Sequence, residues 1–169
     1  DFFSITIILI LTMVMVRLIS QSLFQSSQQL QKELRERKLA EEKYRNIFEN
    51  AIDGIFQSTP EGRLISVNPA MARMYGYESP QEMVNSVTDI ANQIYINPAA
   101  RDALRIRLES GDEIREYEAL EYRKDRSKLW TSMNAQVIRD ENGNTLYYEG
   151  TVEDVTLRKE MEIKRKEAE

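Results

Sequence analysis

The spacing of apolar and polar positions changes along the chain and divides it into segments. Residues 2–16 are apolar except for three hydroxyl residues, and this run ends at Arg17. Residues 18–50 contain no Gly or Pro and are rich in Gln, Glu, Lys, Arg and Leu, which predicts one long helix. From Asp53 onward, short alternating stretches separated by turn residues predict strands.

The clearest strand pattern lies near the end of the chain. Residues 129–138 alternate apolar and polar side chains, as a half-buried strand does. Asn142-Gly143 follows and predicts a hairpin with a type I′ turn, whose two central residues both need positive φ. Residues 145–152 are the predicted return strand, and the charged sequence over 157–169 predicts an exit helix.

The middle of the chain predicts three more strands, at 54–58, 63–67 and 114–123. Asn68, Ser79 and Asn97 each precede a proline and predict the N-caps of three helices, because proline is favoured at the first helical position. The turn before residue 129 contains Arg126, and we expect a type I turn there because an arginine disfavours positive φ.

The apolar run at 1–17 predicts the C-terminal part of a membrane helix, although it is shorter than the roughly 20 residues of a full span. A buried helix of a soluble protein is the alternative. Arg17 and the lysines and arginines over 32–38 place the following sequence in the cytoplasm. We therefore expect a cell inner membrane protein whose main domain, over 51–156, is cytoplasmic. Because residue 1 is Asp rather than Met, we also expect a piece of a longer protein.

The helix over 18–50 carries an interrupted heptad repeat. Apolar residues recur at seven-residue intervals with Arg37 breaking the series, which predicts a signalling helix in a parallel homodimeric coiled coil. A solvated single helix is the alternative. The predicted contact residues are Leu23, Leu30, Leu34, Tyr44 and Ile47.

Composition excludes several classes of chemistry. The chain has no Cys and no His, so it has no disulfide, no zinc site built from these residues and no Ser-His-Asp catalysis. The net charge of −5 gives no basic surface for nucleic acid. No nucleotide-binding motif, phosphorylatable His or metal-ligand spacing is present, so we expect no metal and no enzymatic activity from this chain alone.

Three short motifs resemble those of PAS sensory domains. They are Val-Asn-Pro-Ala at 67–70, Tyr-Gly-Tyr at 75–77 and Asp-Val-Thr-Leu-Arg-Lys at 154–159, and the resemblance covers 41–159. It implies an α+β fold, a five-stranded antiparallel sheet with helices on one face. Ligands of PAS domains, when present, lie between the sheet and the helices.

Strand alternation and the resemblance together predict the residues around that space. A packed core without a ligand is the alternative, because Met and aromatic residues usually serve packing. No Cys is present for a flavin adduct and no His for haem, so no cofactor is expected, and a small organic ligand remains the other option. The glutamates at 116, 118 and 121 are interpreted as a solvated strand face. The candidate pocket residues are Phe56, Ser58, Met71, Met74, Tyr75, Tyr117, Thr131, Met133, Ala135, Tyr148 and Val152.

Four residues are predicted to connect the sheet with its flanking helices. Asp154 and Thr156 have short polar side chains that suit the first N–H groups of the exit helix, and Arg158 belongs to the same motif. Trp130 has the opposite parity to Met133, so we expect it on the outer face, against the preceding helix or a second protomer.

The resemblance implies a signal relay. A membrane or cytosolic signal would pass through flanking dimeric helices to a C-terminal output domain, most often a histidine kinase, with a diguanylate or nucleotide cyclase next. The alternatives are a metabolite sensor on a membrane anchor and a passive dimerisation spacer.

Overall fold

The computed structural model describes residues 2–111 and 113–168, with side chains from Ile10 onward. Residue 1, the first of the predicted membrane segment, and residue 169, the last of the predicted exit helix, lie outside the described residues. The chain divides into two compact units, one up to Asn46 and one from Ile47 onward. The elements are α1 (Phe2–Asn50), β1 (Gly54–Ser58), β2 (Leu64–Val67), α2 (Pro69–Met74), α3 (Pro80–Ser86), α4 (Ile90–Gln93), α5 (Pro98–Glu109), β3 (Ile114–Tyr122), β4 (Lys128–Arg139), β5 (Thr145–Asp154) and α6 (Thr156–Glu167).

The first unit is helical throughout its described length. Good helix formers and the absence of Gly and Pro allow α1 to continue for 49 residues. Exposed ion pairs between residues four apart, such as Arg45–Glu41 at 3.0 Å, each stabilise the helix by roughly a few tenths of a kcal/mol. Large apolar side chains remain exposed along it, including Leu23 and Leu30.

The prediction of a membrane helix is wrong. Within the described part of the chain, no helix is both long enough and apolar enough to span a bilayer. The apolar run ends at Arg17, and Ser20, Gln21 and Ser22 follow it, so fewer than the roughly 20 apolar residues of a span are consecutive. The expected inner-membrane localisation is corrected with it.

The second unit contains a five-stranded sheet in the order β2-β1-β5-β4-β3, with every neighbouring pair antiparallel. Phe56 pairs with Gly150, and Met133 pairs with Val152. Phe56, Met133 and Val152 point to one face of the sheet, which α2 to α5 cover, and they belong to the apolar core. The predicted fold class is confirmed.

Asn68 is the cap that fixes the first covering helix to the sheet. It is fully buried, and its Oδ1 accepts hydrogen bonds from the N–H groups of Met71 and Ile55, each at 2.9 Å. Its side-chain amide donates to the Asp53 carbonyl at 2.9 Å. One side chain therefore supplies hydrogen-bond partners for backbone groups at the start of α2 and at the start of β1.

The hairpin between β4 and β5 is present, but its turn is not type I′. Gly143 has φ of 85°, whereas Asn142 does not have positive φ. The Gly143 N–H donates to the Asp140 carbonyl at 3.0 Å, as in a type I turn followed by a left-handed glycine. The Asp140 carboxylate accepts from the N–H groups of Asn142 and Asn144, at 2.9 and 2.8 Å, and this stabilises the longer turn.

The turn over residues 123–126 is closed as a type I turn is, with no positive φ at its two central residues, as expected, but the conformation of Arg126 itself was not predicted. This residue has φ of 68°, in the left-handed region that an arginine normally avoids. The closing hydrogen bonds of the loop, from the Arg126 N–H to the Arg123 carbonyl and from the Arg123 N–H to the Ser127 carbonyl, are both 2.9 Å. The Arg126 guanidinium stacks 5.3 Å from the centre of the Tyr122 ring, which partly offsets the strain.

Candidate functional site

A small cavity lies between the inner face of the sheet and the covering helices. Its volume is about 40 Å³. A buried water needs roughly 10–15 Å³, so the cavity has room for about three waters. Sites for drug-sized ligands have roughly 300–1,000 Å³. The cavity therefore suits only a very small ligand.

Most of the candidate pocket residues line this cavity, and their role in ligand binding stays a prediction. Met74 and Tyr117 pack against the core without lining the cavity, and Thr131 is buried on the same sheet face. The candidates that line it are Phe56, Ser58, Met71, Tyr75, Met133, Ala135, Tyr148 and Val152.

Glu121 also lines the cavity, which corrects its interpretation as solvated. It is 1% exposed, and its carboxyl group accepts a hydrogen bond from the Tyr75 hydroxyl. Burial raises the pKa of Glu121 to about 7, against the opposing effect of hydrogen bonds with the Tyr75 and Thr131 hydroxyls. Its position was readable from the sequence, because it follows Ala119 by two residues and therefore shares its face.

Arg101 is the second polar residue that sequence reasoning missed. It lies three and seven residues before Leu104 and Leu108, and all three are buried on one side of α5. The Arg101 guanidinium lies 5.4 Å from the centre of the Tyr148 ring. Its Nη1 is buried and has no hydrogen-bond partner among the described residues. The helical spacing was the available signal.

Tyr148 connects the inner sheet face with the end of α5. Its hydroxyl donates to Glu109 Oε1 at 2.9 Å, and burial, followed by this bond, raises the pKa of Tyr148 to about 12. Glu109 also accepts from Arg105 at 2.9 Å. The Glu109 carboxylate is therefore already engaged.

On the opposite face of the sheet, α6 is hydrogen-bonded to β4. The Val155 N–H donates to the Trp130 carbonyl at 2.9 Å, and the Trp130 N–H donates to the Thr156 hydroxyl at 3.0 Å. Thr156 thus bonds the sheet rather than the first turn of its own helix. The Lys159 Nζ lies 5.8 Å from the centre of the Trp130 ring, so this ring packs against the exit helix. Its contact with the preceding helix or a second protomer stays a prediction.

Asp154 links the same helix to the cavity side. Its Oδ1 accepts from the Thr156 N–H at 2.9 Å, as the cap prediction requires, and its Oδ2 pairs with Arg123 at 2.9 Å. Arg123 Nε donates to the Met74 carbonyl at the end of α2, at 3.0 Å. A chain of direct contacts therefore runs from α2 to α6.

Ion pairs complete the attachment of α6. Glu118 on β3 pairs with Arg158 at 2.9 Å and with Lys159. These two cations, Lys159 first, lower the pKa of Glu118. Glu118 is therefore an anchoring group rather than part of a solvated face, while Glu116 is exposed, at a bulge with φ of 48°.

The family follows from a sequence comparison. A model described as PAS domain matches residues 52–157, more than half of the chain. The chain belongs to the PAS domain family. No curated protein matches it significantly.

Solved structures with the PAS fold resemble this one. A domain of a sensory box sensor histidine kinase/response regulator from Geobacter sulfurreducens is 25% identical, with a TM-score of 0.55, covering 68% of this chain and 94% of that one. A PAS domain from a two-component sensor histidine kinase is 16% identical, with a TM-score of 0.57 and coverage of 70% and 98%. A light-oxygen-voltage domain studied with a flavin analogue is 21% identical, with a TM-score of 0.55 and coverage of 73% and 92%.

A flavin does not fit the residues of this PAS domain. The chain has no Cys to form an adduct, and the cavity of about 40 Å³ is far too small for the ring system. Across the described residues, no group of three or more acidic side chains has the arrangement of a metal site. No redox or photochemical step is assigned to this domain.

Proposed function

We propose that this PAS domain is a relay module that passes a change in its packing through α6 to an output domain. The observation that carries the proposal is that β3 and β4 each have one face on the cavity and the other on α6. Glu121 points inward from β3 and Glu118 bonds α6 from the same strand. On β4, Met133 likewise lines the cavity, and Trp130 contacts Lys159 of α6.

The coupling follows from the geometry of a strand. Successive side chains point to opposite faces, so a shift of β3 that accommodates a change at Glu121 also moves Glu118. The Asp154–Arg123 pair would transmit a displacement of α2 to the first turn of α6. Because packed elements change between discrete arrangements, α6 would move between two orientations instead of bending gradually.

We propose a histidine kinase as the output, with a diguanylate or nucleotide cyclase as the alternative. Two similar structures belong to sensor histidine kinases, which supports the first choice. We further propose that α1 brings two copies together, because its apolar residues Leu23, Leu30 and Leu34 are more than half exposed in the single chain.

A metabolite sensor is the second candidate function. It is favoured by one observation, the unpartnered buried Nη1 of Arg101 in the cavity wall. In a metabolite sensor, the bound ligand, rather than a signal from a neighbouring domain, changes the packing of the covering helices.

A fusion to a histidine kinase catalytic core, joined in helical register after α6, tests the relay. Thr156→Val removes the hydroxyl that accepts from Trp130, and Glu118→Gln removes the charge that holds Arg158. We expect each to change autophosphorylation by about fivefold or more, the usual lower range of a coupling free energy.

Two substitutions serve as matched controls for this experiment. Thr156→Ser keeps the hydroxyl, and Arg115→Gln removes an exposed arginine paired with Glu113 at 2.6 Å on the same strand as Glu118. Both should behave like the parent. If all four fusions had equal activity, the domain would be a passive spacer and the relay would be refuted.

A further inference from the structure

We propose that the cavity binds a short-chain carboxylate, whose carboxylate group pairs with Nη1 of Arg101. This inference rests on the proposed sensory function and names the chemistry of the ligand. The ligand would lie between α5 and the inner face of the sheet, beside the Arg101 guanidinium, for which no described acidic residue serves as a counter-ion.

Arg101 is a buried cation that no acidic side chain of the described residues pairs with. An arginine side chain stays protonated in proteins, and it is only 7% exposed here. Removing such a charge from water is unfavourable unless an anion or hydrogen bonds replace the water. No acidic side chain within the described residues forms an ion pair with it, and the Tyr148 ring contributes only a cation–π contact.

Two of the other polar groups at the cavity, the hydroxyls of Tyr75 and Tyr148, are already engaged. The Tyr75 hydroxyl donates to Glu121, and the Tyr148 hydroxyl donates to Glu109. Among the described residues, Arg101 Nη1 is a buried donor without a hydrogen-bond partner. A donor of this kind favours a planar oxyanion because the guanidinium is itself planar.

The rest of the wall selects an organic anion over an inorganic one. It is mainly apolar, and includes Met71, Leu104, Met133 and Val152. An alkyl group gains from such surroundings, whereas a nitrate or chloride ion does not. The volume of about 40 Å³ limits the ligand to a few non-hydrogen atoms, such as acetate, and excludes an aromatic acid.

The experiment titrates the whole chain, in carboxylate-free buffer, with sodium acetate at constant ionic strength. Sodium nitrate, sodium chloride and sodium benzoate are titrated in parallel. Amide NMR spectra report binding, and thermal unfolding reports stability. We expect saturable shifts around Arg101 and Tyr148 with acetate only, and an unfolding midpoint that rises with acetate concentration.

Arg101→Met removes the cation while keeping an unbranched side chain, and Arg115→Met removes an exposed cation as a matched control. We expect Arg101→Met to weaken acetate binding by about tenfold or more, and Arg115→Met to leave it unchanged. Without acetate, Arg101→Met should unfold at a higher temperature than the parent, because an unpaired buried charge is gone. Arg101→Gln provides the same binding comparison if the Met variant does not fold.

Equal effects of acetate, nitrate and chloride would overturn the proposal, as would benzoate binding as tightly as acetate or unchanged acetate affinity in Arg101→Met. Binding is measured without an output domain, so the two proposals fail separately. No acetate binding together with a responsive kinase fusion would refute the carboxylate and leave the relay. Saturable binding together with a silent fusion would refute the relay and leave the carboxylate site.

Discussion

The side-chain groups that contact the Glu121 carboxyl group are uncharged, although the Arg101 guanidinium lines the same cavity. The Tyr75 hydroxyl donates to it, Tyr95 forms a bridge to its backbone, and Thr131 lies beside it on β4. All of these are uncharged below pH 10 or so because burial also raises the pKa of both tyrosines. The protonated form of Glu121 is therefore the one that this site favours.

Stability should consequently depend on pH through this residue. Its pKa is about 7 in the folded protein, against an ordinary value of 4.5. Between these values the folded state holds a proton that the unfolded chain has released, so the free energy of unfolding falls as pH rises from 4.5 to 7. The loss is on the order of 3 kcal/mol. Urea unfolding at intervals from pH 4.5 to pH 8 measures it.

The substitution Glu121→Gln should remove this part of the pH dependence, because the amide does not titrate. Glu118→Gln is the matched control on the same strand. The Glu118 carboxylate of the parent protein has a lowered pKa and titrates below this range. The control should therefore keep the dependence of the free energy of unfolding on pH. An unchanged slope in Glu121→Gln would assign the pH dependence to other groups.

Arg126 illustrates a residue-scale strain. A side chain in the left-handed region costs about 1–2 kcal/mol, part of which the stacking on Tyr122 offsets. We expect Arg126→Gly to raise the free energy of unfolding by up to about 1 kcal/mol, since glycine relieves the strain but loosens the unfolded chain. Arg126→Ala keeps the strain and loses the ring contact, so it should be less stable than the parent. Chemical denaturation of the three proteins would contradict this if the Gly variant were the least stable.

At the scale of elements, the sequence predicted what depends on neighbouring residues. Strand β1 was predicted with its observed limits because Gly54 and Thr59-Pro60 bound an alternating stretch. Asn68 and Asn97 cap their helices as predicted because a cap needs only residues within one turn.

What the sequence did not predict depends on distant partners. Thr156 is an ordinary N-cap residue in the sequence, but its hydroxyl accepts from β4, 26 residues away. Glu118 pairs with a cation 40 residues away, on α6. Arg101 and Glu121 had readable positions, but their charge argued for solvent exposure, and only the fold shows that they are buried.

The β4–β5 pair has a close approach that only glycine allows. A Cβ added at Gly150 would lie 2.1 Å from the Asn134 carbonyl oxygen and 3.0 Å from the Ala135 Cα, and backbone atoms of a central strand cannot move away easily. We expect Gly150→Ala to lower the free energy of unfolding by about 3 kcal/mol. Gly143→Ala has no such contact and only the cost of its φ of 85°, so it should lose about 1 kcal/mol. Thermal unfolding that found Gly143→Ala equally damaging would contradict this account.

At the scale of the whole molecule, the PAS sheet packs against other elements on both faces and the chain carries a separate helical unit. The inner face forms the cavity, and the outer face holds α6. A relay that uses helix orientation gains from a second copy, because two exit helices can change their packing against each other. The association we propose would be provided by the first unit, whose leucines Leu23, Leu30 and Leu34 are more than half exposed.

The association of α1 can be measured directly. Leu23 and Leu30 are 66% and 58% exposed and lie seven residues apart, on one side of the helix. We expect sedimentation equilibrium to give a concentration-dependent dimer for the parent, because pairing would bury this seam. The double variant Leu23→Asp with Leu30→Asp should be monomeric, since the aspartates of the two copies would repel each other and would lose hydration in the seam. Gln25→Asp with Gln28→Asp adds the same charge on the opposite side and should remain dimeric. A monomeric parent at high concentration, or a dimer that survives the leucine substitutions, would show that α1 does not pair through this seam.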